Sequence, residues 1–383
     1  MITTSKIYIS RSALKNNLEF IHQNLPEKTK LSAVVKGNAY GHGIESYTPL
    51  AQELGVDHFS TFSTDEAFRV FNSIDNSKAD IMIMGGVFDE HLEWIIKNNI
   101  EFYVFNISTL NSTNEITKKL KKTARIHIEF ETGMNRSGFH PNQLNRILSI
   151  FEENKYMKLE GICTHLAGAE SISNFKRIQK QLKRFKNIKE KVDGHHQLEP
   201  KYHSLCSAGF LNYPRYKADM VRLGILQYGF FPNDETYVRF ITKKKIMENP
   251  LQRLISWKSR VMDTKHVKTG EFVGYGTSYF TNAPTQIALI PVGYSHGFTR
   301  HLSNNGKVLI RGQRHAVIGM VNMNMLVVNV SSLDNIEVGD EVVFIGKQGD
   351  SELSVASFSD LSSLVNYELL TRLPNEINRK IID

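Results

Sequence analysis

Residues 31–43 read LSAVVKGNAYGHG, an apolar run that ends at Lys36 and continues into a segment with three glycines. Short apolar runs bounded by glycine or polar residues are typical of buried strands. A lysine at the end of such a run is unusual unless it is paired or used chemically, although a surface lysine is the alternative from position alone. We therefore predict a strand over Leu31–Val35 with Lys36 at its carboxyl end.

Seven similar runs follow, and segments of helix length separate them. Residues 174–192 place apolar side chains at helical spacing, from Phe175 to Ile188, which predicts one of these helices. Strands alternating with helices indicate a parallel sheet, and eight such units fit a closed (β/α)8 TIM barrel. A doubly wound open sheet is the alternative, but no glycine fingerprint follows the first strand. The seven further predicted strands are Asp57–Thr61, Asp80–Met84, Glu101–Phe105, Arg125–Glu131, Lys158–Thr164, Tyr202–Cys206 and Asp219–Ile225.

The pattern changes near residue 250, where apolar runs are joined by short connections that carry Gly, Asn or Asp. Such connections are typical of antiparallel strands. We predict a barrel over residues 10–245 and a separate all-β domain over residues 246–383, with residues 1–9 pairing into the β-domain. The predicted strands of this domain are Ile255–Val267, Gln286–Val292, Val308–Arg311, Ala316–Val321, Leu326–Val330 and Glu341–Ile345.

Composition excludes several classes of protein. The formal net charge is +8, but the basic clusters at residues 118–122 and 243–245 lack the interleaved aromatics of single-strand binders, so we expect no nucleic-acid partner. No apolar run approaches ~18 residues and no zinc-finger spacing occurs, so we expect neither a membrane span nor a metal. The N-terminus lacks the features of a signal peptide, and Cys163 and Cys206 make no disulfide framework. A reducing cytoplasm is therefore the expected location.

In a barrel, function collects at the carboxyl ends of the strands. The fifth strand runs into residues 129–138, EFETGMNRSG, where Arg136 near carboxylates suits an anion clamp or, equally, a structural salt bridge. The loops after strands seven and eight of a barrel often bind phosphate, and there Ser207 offers a hydroxyl while Gly224 and Ile225 offer N–H groups. A phosphate site beside a buried lysine indicates pyridoxal phosphate, because that cofactor requires a binding lysine.

The β-domain contains two glycine-flanked tyrosines, in residues 274–279, GYGTSY, and residues 291–297, PVGYSHG. Such tyrosines usually pack within a β-domain. A tyrosine also acts as an acid or base where its surroundings lower its pKa. Residues 319–325, GMVNMNM, are typical of a core strand, in which methionines serve packing more often than recognition.

Taken in their order along the chain, these motifs resemble the bacterial alanine racemases, a family of fold-type III pyridoxal phosphate enzymes. The most specific motif is residues 33–43, AVVKGNAYGHG, with Gly37 where the family has alanine. The resemblance covers residues 10–379. It implies a TIM-barrel N-terminal domain, a β C-terminal domain and a homodimer in which each site is completed by the partner's C-terminal domain.

The resemblance also implies roles for individual residues. Lys36 holds the cofactor and is one catalytic base, and Tyr275 of the partner subunit is the other, on the opposite face. Arg222 faces the pyridine nitrogen, with His165 near the ring, and an always-cationic donor there disfavours protonation of that nitrogen. The implied phosphate-binding residues are Tyr40, Ser207, Gly224, Ile225 and Tyr367, and the implied substrate-carboxylate contacts are Arg136 and the backbone of Met323.

Several positions depart from the family pattern. Glu129 stands where many members carry a carbamylated lysine, and our hypothesis is that its carboxylate pairs with Arg136. The other departures surround the substrate entrance and the cofactor: Met320 replaces an arginine, Asn324 and His296 replace aspartates, and Cys206 replaces an asparagine.

The predicted function is an isomerase that interconverts L- and D-alanine with pyridoxal 5'-phosphate, in D-alanine biosynthesis. A racemase of serine or of a basic amino acid is the first alternative, because the departures lie around the entrance and leave the catalytic pair in place. A non-catalytic pyridoxal phosphate-binding protein is the second, and Tyr275 argues against it. An amino-acid decarboxylase is the third, and its second-domain motifs differ.

Overall fold

A computed structural model describes residues 4–195, 198–245, 248–355 and 366–383. The chain divides into two compact units, which we call the barrel unit and the strand unit. The barrel unit comprises Ser12–Gly37 and Tyr47–Arg253, and the strand unit comprises the described residues within Met1–Arg11, Asn38–Ser46 and Leu254–Asp383. The domain boundary after residue 245 stays a prediction. None of the helices in the described ranges combines the length and apolar character that a membrane span requires.

The barrel unit contains eight parallel strands, ordered β9-β2-β3-β4-β5-β6-β7-β8 across the sheet. The two ends of this order, β9 and β8, meet and close the cylinder, since Asp219 N donates to Tyr202 O at 3.2 Å and Arg222 N donates to Leu205 O at 3.0 Å. Each strand falls on one of the eight predicted runs, so the TIM-barrel prediction is confirmed. The strands are β2 (Lys30–Val34), β3 (His58–Thr61), β4 (Asp80–Ile83), β5 (Glu101–Val104), β6 (Ala124–Glu129), β7 (Met157–Cys163), β8 (Lys201–His203) and β9 (Met220–Leu223).

Amphipathic helices alternate with these strands. In α8 (Phe175–Asp193), Ile178, Leu182, Phe185 and Ile188 are buried as their spacing predicts, whereas Phe175, which opens the helix, is 45% exposed. The other helices are α1 (Arg11–Gln23), α3 (Ile44–Glu53), α4 (Thr64–Phe71), α5 (Asp89–Lys97), α6 (Ile107–Leu120), α7 (Leu144–Glu153), α9 (Ser207–Asn212) and α10 (Asp234–Lys244).

The strand unit is built on a ten-stranded sheet, ordered β11-β12-β15-β14-β13-β16-β10-β1-β18, with β17 paired to β16. The first strand of the chain, β1, pairs antiparallel with β10 and parallel with β18, and it buries Ile7 and Ile9. The strands are β1 (Lys6–Ser10), β10 (Ile255–Arg260), β11 (Asp263–Val267), β12 (Thr285–Ile290), β13 (Lys307–Ile310), β14 (Gln313–Ile318), β15 (Leu326–Asn329), β16 (Glu341–Gln348), β17 (Ser351–Leu353) and β18 (Asn378–Ile382), and the unit also contains helix α11 (Asn366–Thr371).

One predicted strand of this unit, Ile255–Val267, is two strands in the structure. The break lies at Val261 and Met262, whose N–H groups donate to Asp340 O and Leu289 O. The chain changes neighbours there, because β10 pairs with β16 and β11 pairs with β12. Side-chain alternation alone does not reveal such a change of partner, because it indicates which face a residue occupies and not which strand lies beside it.

The turn α2 (Lys36–Tyr40) is wound left-handed, because φ is positive at Gly37, Asn38, Ala39 and Tyr40. Left-handed winding costs about 1–2 kcal/mol for each residue that carries a Cβ. Contacts within the strand unit hold the segment: Arg379 Nε and Nη2 donate to Gly41 O at 3.1 and 3.0 Å, and Asn38 Nδ2 donates to Asn375 Oδ1 at 2.7 Å.

Gly41 is the position where this segment requires glycine. Its φ is +82°, and a Cβ would lie 1.9 Å from the carbonyl oxygen of Leu370 in α11. Gly41→Ala is therefore expected to lower the free energy of unfolding by about 3 kcal/mol or more, measured by urea denaturation. The matched control is Gly55→Ala, where φ is +94° and no atom lies within 4 Å of the added methyl, so about 1 kcal/mol is expected. Equal losses in the two variants would contradict the clash at Leu370.

Candidate active site

Lys36 follows β2 at the mouth of the barrel. Its side chain is accessible to solvent, yet the groups around it lower the pKa of its ammonium, first by desolvation and then through the positive charge of Arg136. The carboxylate of Glu66 opposes that shift. A lowered pKa increases the fraction of neutral amine, which is the nucleophilic and basic form.

Arg222 lies in β9 and is buried in the barrel interior. Its Nη1 donates to His203 Nδ1 and, at 3.1 Å, to His203 O, while Nη2 donates to Thr164 O at 3.0 Å. Among the described residues, no carboxylate lies within ion-pairing distance of this guanidinium. An arginine stays charged in proteins, so the cation is held here by neutral acceptors.

His165 follows β7 and lies in the electrostatic reach of three cations. Burial lowers its pKa to about 3, and the charges of Arg222, Arg136 and Lys36 act in the same direction. The imidazole is therefore neutral at physiological pH. The structure thus brings together, at one end of the barrel, Lys36, Arg136, His165 and Arg222, which belong to four different strands or to the loops that follow them.

The loops after β8 and β9 also meet, as the predicted phosphate site requires. Gly224 N donates to Ser207 Oγ at 3.1 Å. Ser207 opens α9 and Ile225 opens a short 3-10 turn, and the first N–H groups of such turns have no acceptor within the turn itself. A phosphate accepts hydrogen bonds from N–H groups of this kind, so the donors present fit that group.

Two residues that sequence reasoning missed tie this turn to the strand before Lys36. Gln227 Nε2 and Tyr228 OH both donate to Val34 O, at 2.9 and 3.0 Å. Both side chains are buried. The sequence signal that could have identified this position is a glutamine in the otherwise apolar stretch after Gly224.

The structure does not contain the hypothesised ion pair between Glu129 and Arg136, whose charged groups lie more than about 4 Å apart, beyond the reach of an ion pair. Glu129 is buried, which raises its pKa, and a hydrogen bond with Ser137 and the nearby arginines partly oppose that rise. The loop carrying Arg136 is instead closed by Glu131, whose carboxylate accepts from the N–H groups of Gly133, Asn135 and Arg136. Backbone donors within one tight loop satisfy a carboxylate without a distant cation.

In the strand unit, the structure brings Tyr40 and Tyr367 together. Their ring centroids lie 5.9 Å apart at an interplanar angle of 69°, which is an edge-to-face contact. The side chain of Asn366, the residue before Tyr367, lies outside the described residues.

Tyr275 lies at the tip of a loop whose ends are joined by a bridge between Phe272 and Phe280. Positive φ values at Gly274 and Gly276, +76° and +68°, form the sharp tip. The Tyr275 side chain is 72% exposed, so no packing role within the unit explains it.

The departures in the strand unit have local partners. His296 Nδ1 accepts from Gly293 N at 3.2 Å, and Asn324 Oδ1 accepts from Ser295 Oγ at 2.9 Å. Met323 O accepts from Ser295 N at 3.0 Å, and the Met323 side chain is 55% exposed. These side chains therefore shape the loops that carry them.

Comparison with known proteins gives a consistent result over the whole chain. Two family models match, alanine racemase N-terminal domain over residues 9–232 and alanine racemase C-terminal domain over residues 254–381. An alanine racemase of Leptospira interrogans is 33% identical over 384 residues, covering 99% of this chain and 96% of that protein.

Solved structures agree. An alanine racemase of Clostridium difficile 630 superimposes with a TM-score of 0.90 at 30% identity, covering 100% of this chain and 96% of that one. An alanine racemase of Bartonella henselae with covalently bound pyridoxal phosphate superimposes with a TM-score of 0.83 at 26% identity, covering 100% of both chains. The family predicted from the sequence is confirmed, and the chain belongs to the alanine racemase family.

Proposed function

We propose that this amino-acid racemase interconverts L- and D-alanine with pyridoxal 5'-phosphate, using Lys36 and Tyr275 as bases on opposite faces of the substrate. The observation that carries the proposal is the cluster at the barrel mouth. There, a lysine with a lowered pKa lies in the same electrostatic environment as Arg222 and His165.

The cofactor fits the groups that the barrel unit offers. Lys36 would hold it covalently, the N–H donors beside Ser207 would take the phosphate, and Arg222 would face the pyridine nitrogen. Tyr40 and Tyr367 complete the proposed phosphate set. The bound cofactor supplies an electron sink for the carbanion at the substrate α-carbon. Arg222, as a permanent cation, disfavours protonation of the pyridine nitrogen and thereby favours racemisation over transamination.

The protein's own groups then carry out two proton transfers. One of Lys36 and Tyr275 removes the α-proton while the other donates its own proton to the opposite face, so the configuration inverts, and proton exchange with solvent restores the pair. Arg136, which is exposed at the barrel mouth, and the backbone at Met323 would hold the substrate carboxylate. Glu129 would contribute negative charge near Arg136 without direct pairing.

A homodimer is part of the proposal, with Tyr275 of the partner subunit completing each site. Its support is the exposure of Tyr275 together with other large apolar side chains of the strand unit, namely Phe272, Phe280 and Met323. Exposed apolar side chains in this number indicate a surface that another chain covers. A cytoplasmic location is also proposed, and the free thiols of Cys163 and Cys206 are compatible with it.

Tyr275→Phe is expected to lower racemisation of alanine by at least ~100-fold, because a positioned acid–base group typically contributes that much or more. Exchange of the α-proton with solvent deuterium should persist for one enantiomer, since Lys36 remains. Mass spectrometry and chiral chromatography read the two quantities separately. The matched control is Tyr279→Phe, which removes a hydroxyl from the same loop and should racemise like the parent. Unchanged racemisation in Tyr275→Phe would remove the two-base assignment.

Mixing two inactive variants tests whether the site is shared between subunits. In a mixed dimer of Lys36→Ala and Tyr275→Phe, one site regains an intact lysine and an intact tyrosine if Tyr275 acts across the interface. Statistical mixing after subunit exchange should then restore about a quarter of the parent activity. If Tyr275 acts within its own subunit, every site lacks one base and the mixture stays inactive.

Turnover on a panel of L-amino acids with added pyridoxal phosphate tests whether the departures around the substrate entrance change the preferred substrate. Alanine is expected to have a kcat/KM at least ~10-fold above those of serine, lysine and arginine, because a pocket built for a methyl group penalises larger side chains. A higher kcat/KM for serine or a basic amino acid would replace alanine as substrate and leave the catalytic assignments unchanged.

A further inference from the structure

A line of buried polar side chains runs through the barrel interior behind Arg222. Arg222 Nη1 contacts His203 Nδ1, His203 Nε2 lies 2.9 Å from His127 Nδ1, and His127 Nε2 lies 2.9 Å from Glu101 Oε2. The three strands β8, β6 and β5 supply these groups, and the two imidazoles and the carboxylate are fully buried. We call this line the core ladder.

A second branch reaches the same carboxylate oxygen. His58 Nε2 lies 3.0 Å from Glu101 Oε2, and His58 Nδ1 lies 2.9 Å from Ser32 Oγ, which contacts Ser60 Oγ. The other carboxylate oxygen accepts from Arg125 Nη2. Glu101 therefore accepts from three donors and is the shared end of both branches.

The contacts allow one arrangement of protons in the core ladder. Arginine has no acceptor, so His203 Nδ1 must be unprotonated where it meets Arg222. A neutral His203 then carries its proton on Nε2 and donates it to His127 Nδ1. His127 in turn carries its proton on Nε2 and donates it to Glu101, which as a carboxylate is an acceptor alone.

The directions of the pKa shifts agree with this arrangement. Burial lowers the pKa of both His127 and His203, so both imidazoles are neutral. Burial opposes ionisation of Glu101, but hydrogen bonds from His127 and His58 outweigh it and hold the pKa of the carboxyl well below its usual range. A neutral pair of imidazoles between a cation and an anion is the state in which every ladder contact is a hydrogen bond.

We propose that Glu101 is a positioning residue for Arg222, acting through the core ladder to keep His203 in the tautomer that accepts from the guanidinium. The proposal rests on the proposed function, in which Arg222 faces the pyridine nitrogen. Without an anionic acceptor at Glu101, no ladder contact would fix the proton of His127 on Nε2, and Arg222 alone would oppose a proton on His203 Nδ1. A His203 with its proton on Nδ1 would present a donor to a donor, and Arg222 would lose one of the three acceptors that position its guanidinium.

Glu101 also has a structural role, which the experiment must distinguish from the positioning of Arg222. Arg125 forms ion pairs with Glu101, with Asp80 and with Glu160. Its Nη1 lies 2.6 Å from Asp80 Oδ1, and its Nε lies 3.3 Å from Glu160 Oε2. Glu160 provides a matched control, because it is a buried carboxylate of the same network, it also binds Arg125, and it makes no contact with the imidazoles.

The parent protein tests the tautomers directly. In protein labelled with 15N at its histidines, His58, His127 and His203 should each show a pyridine-like Nδ1 and a pyrrole-like Nε2 at neutral pH, with assignments from single His→Gln variants. Protonation of Nδ1 in His203 or His127 would overturn the proposal. This measurement needs no cofactor and no activity, so its failure is distinct from failure of the proposed function.

The variants test the consequence. Glu101→Leu is expected to give tautomer-averaged 15N shifts at His127 and His203 and to lower kcat ~10-fold or more, with KM changed by less than ~3-fold. Glu160→Leu should keep the parent shifts and the parent kcat, even where its melting temperature falls by a similar amount. Parent shifts at His203 together with parent kcat in Glu101→Leu would overturn the proposal.

If Glu101→Leu does not fold, the same measurements are made on Glu101→Gln and Glu160→Gln. In Glu101→Gln, the new amide would keep one oxygen for the imidazoles but lose the charge. Its kcat is therefore expected to fall by less than ~10-fold, and the kcat of Glu160→Gln should equal that of the parent. Equal kcat values in these two variants would count against Glu101.

Discussion

The buried guanidinium of Arg222 needs hydrogen-bond acceptors, and the polar groups of the barrel interior are arranged around that need. Arg222 is buried in β9, and its N–H groups find a carbonyl of β8, a carbonyl after β7 and the imidazole of His203. Burying a charge without such partners is expensive, whereas strong hydrogen bonds to each donor make it tolerable. The polar side chains of β3, β5 and β6 extend this pattern to Glu101, so a hydrogen-bonded chain crosses a barrel whose strands also bury the cluster of Met82, Tyr103, Cys163 and Met220.

The left-handed turn after Lys36 is supported by contacts within the strand unit. The chain leaves Lys36 through a left-handed turn, and Arg379 holds the end of that turn by hydrogen bonds to Gly41 and to carbonyls near α11. Such conformations persist where the surroundings over-determine them, and they concentrate at functional sites. The residue that holds the turn lies in β18, 338 positions further along the sequence than Gly41.

The sequence pattern alone was enough to predict the features that depend on residues close together in the chain. The eight barrel strands are apolar runs, and Lys36, Ser207 and Gly224 follow three of them, so parallel pairing was bound to bring these residues to one end. The ladder was not predictable in the same way, because His127 meets residues 26 and 76 positions away, and its contacts depend on strand register. A signal was nevertheless present, since histidine and glutamate interrupt strands that otherwise contain apolar residues. The left-handed turn and the division of residues 255–267 required tertiary contacts as well.

The departures from the family pattern divide between the two units according to what each position does. In the barrel unit, Glu129 is buried and lies near Arg136 and Arg222, so its influence on the site is through charge, and its raised pKa makes that charge depend on its surroundings. In the strand unit, His296 contacts its own turn and Thr4, and Asn324 contacts Ser295 of that turn, so both act through the conformation of the segments that they join. Glu129 therefore acts on the charges of Arg136 and Arg222, whereas His296 and Asn324 act on loop conformation. The family resemblance puts the substrate entrance at those loops, so under the proposed function a change of substrate would involve them and leave the ladder behind Arg222 as it is.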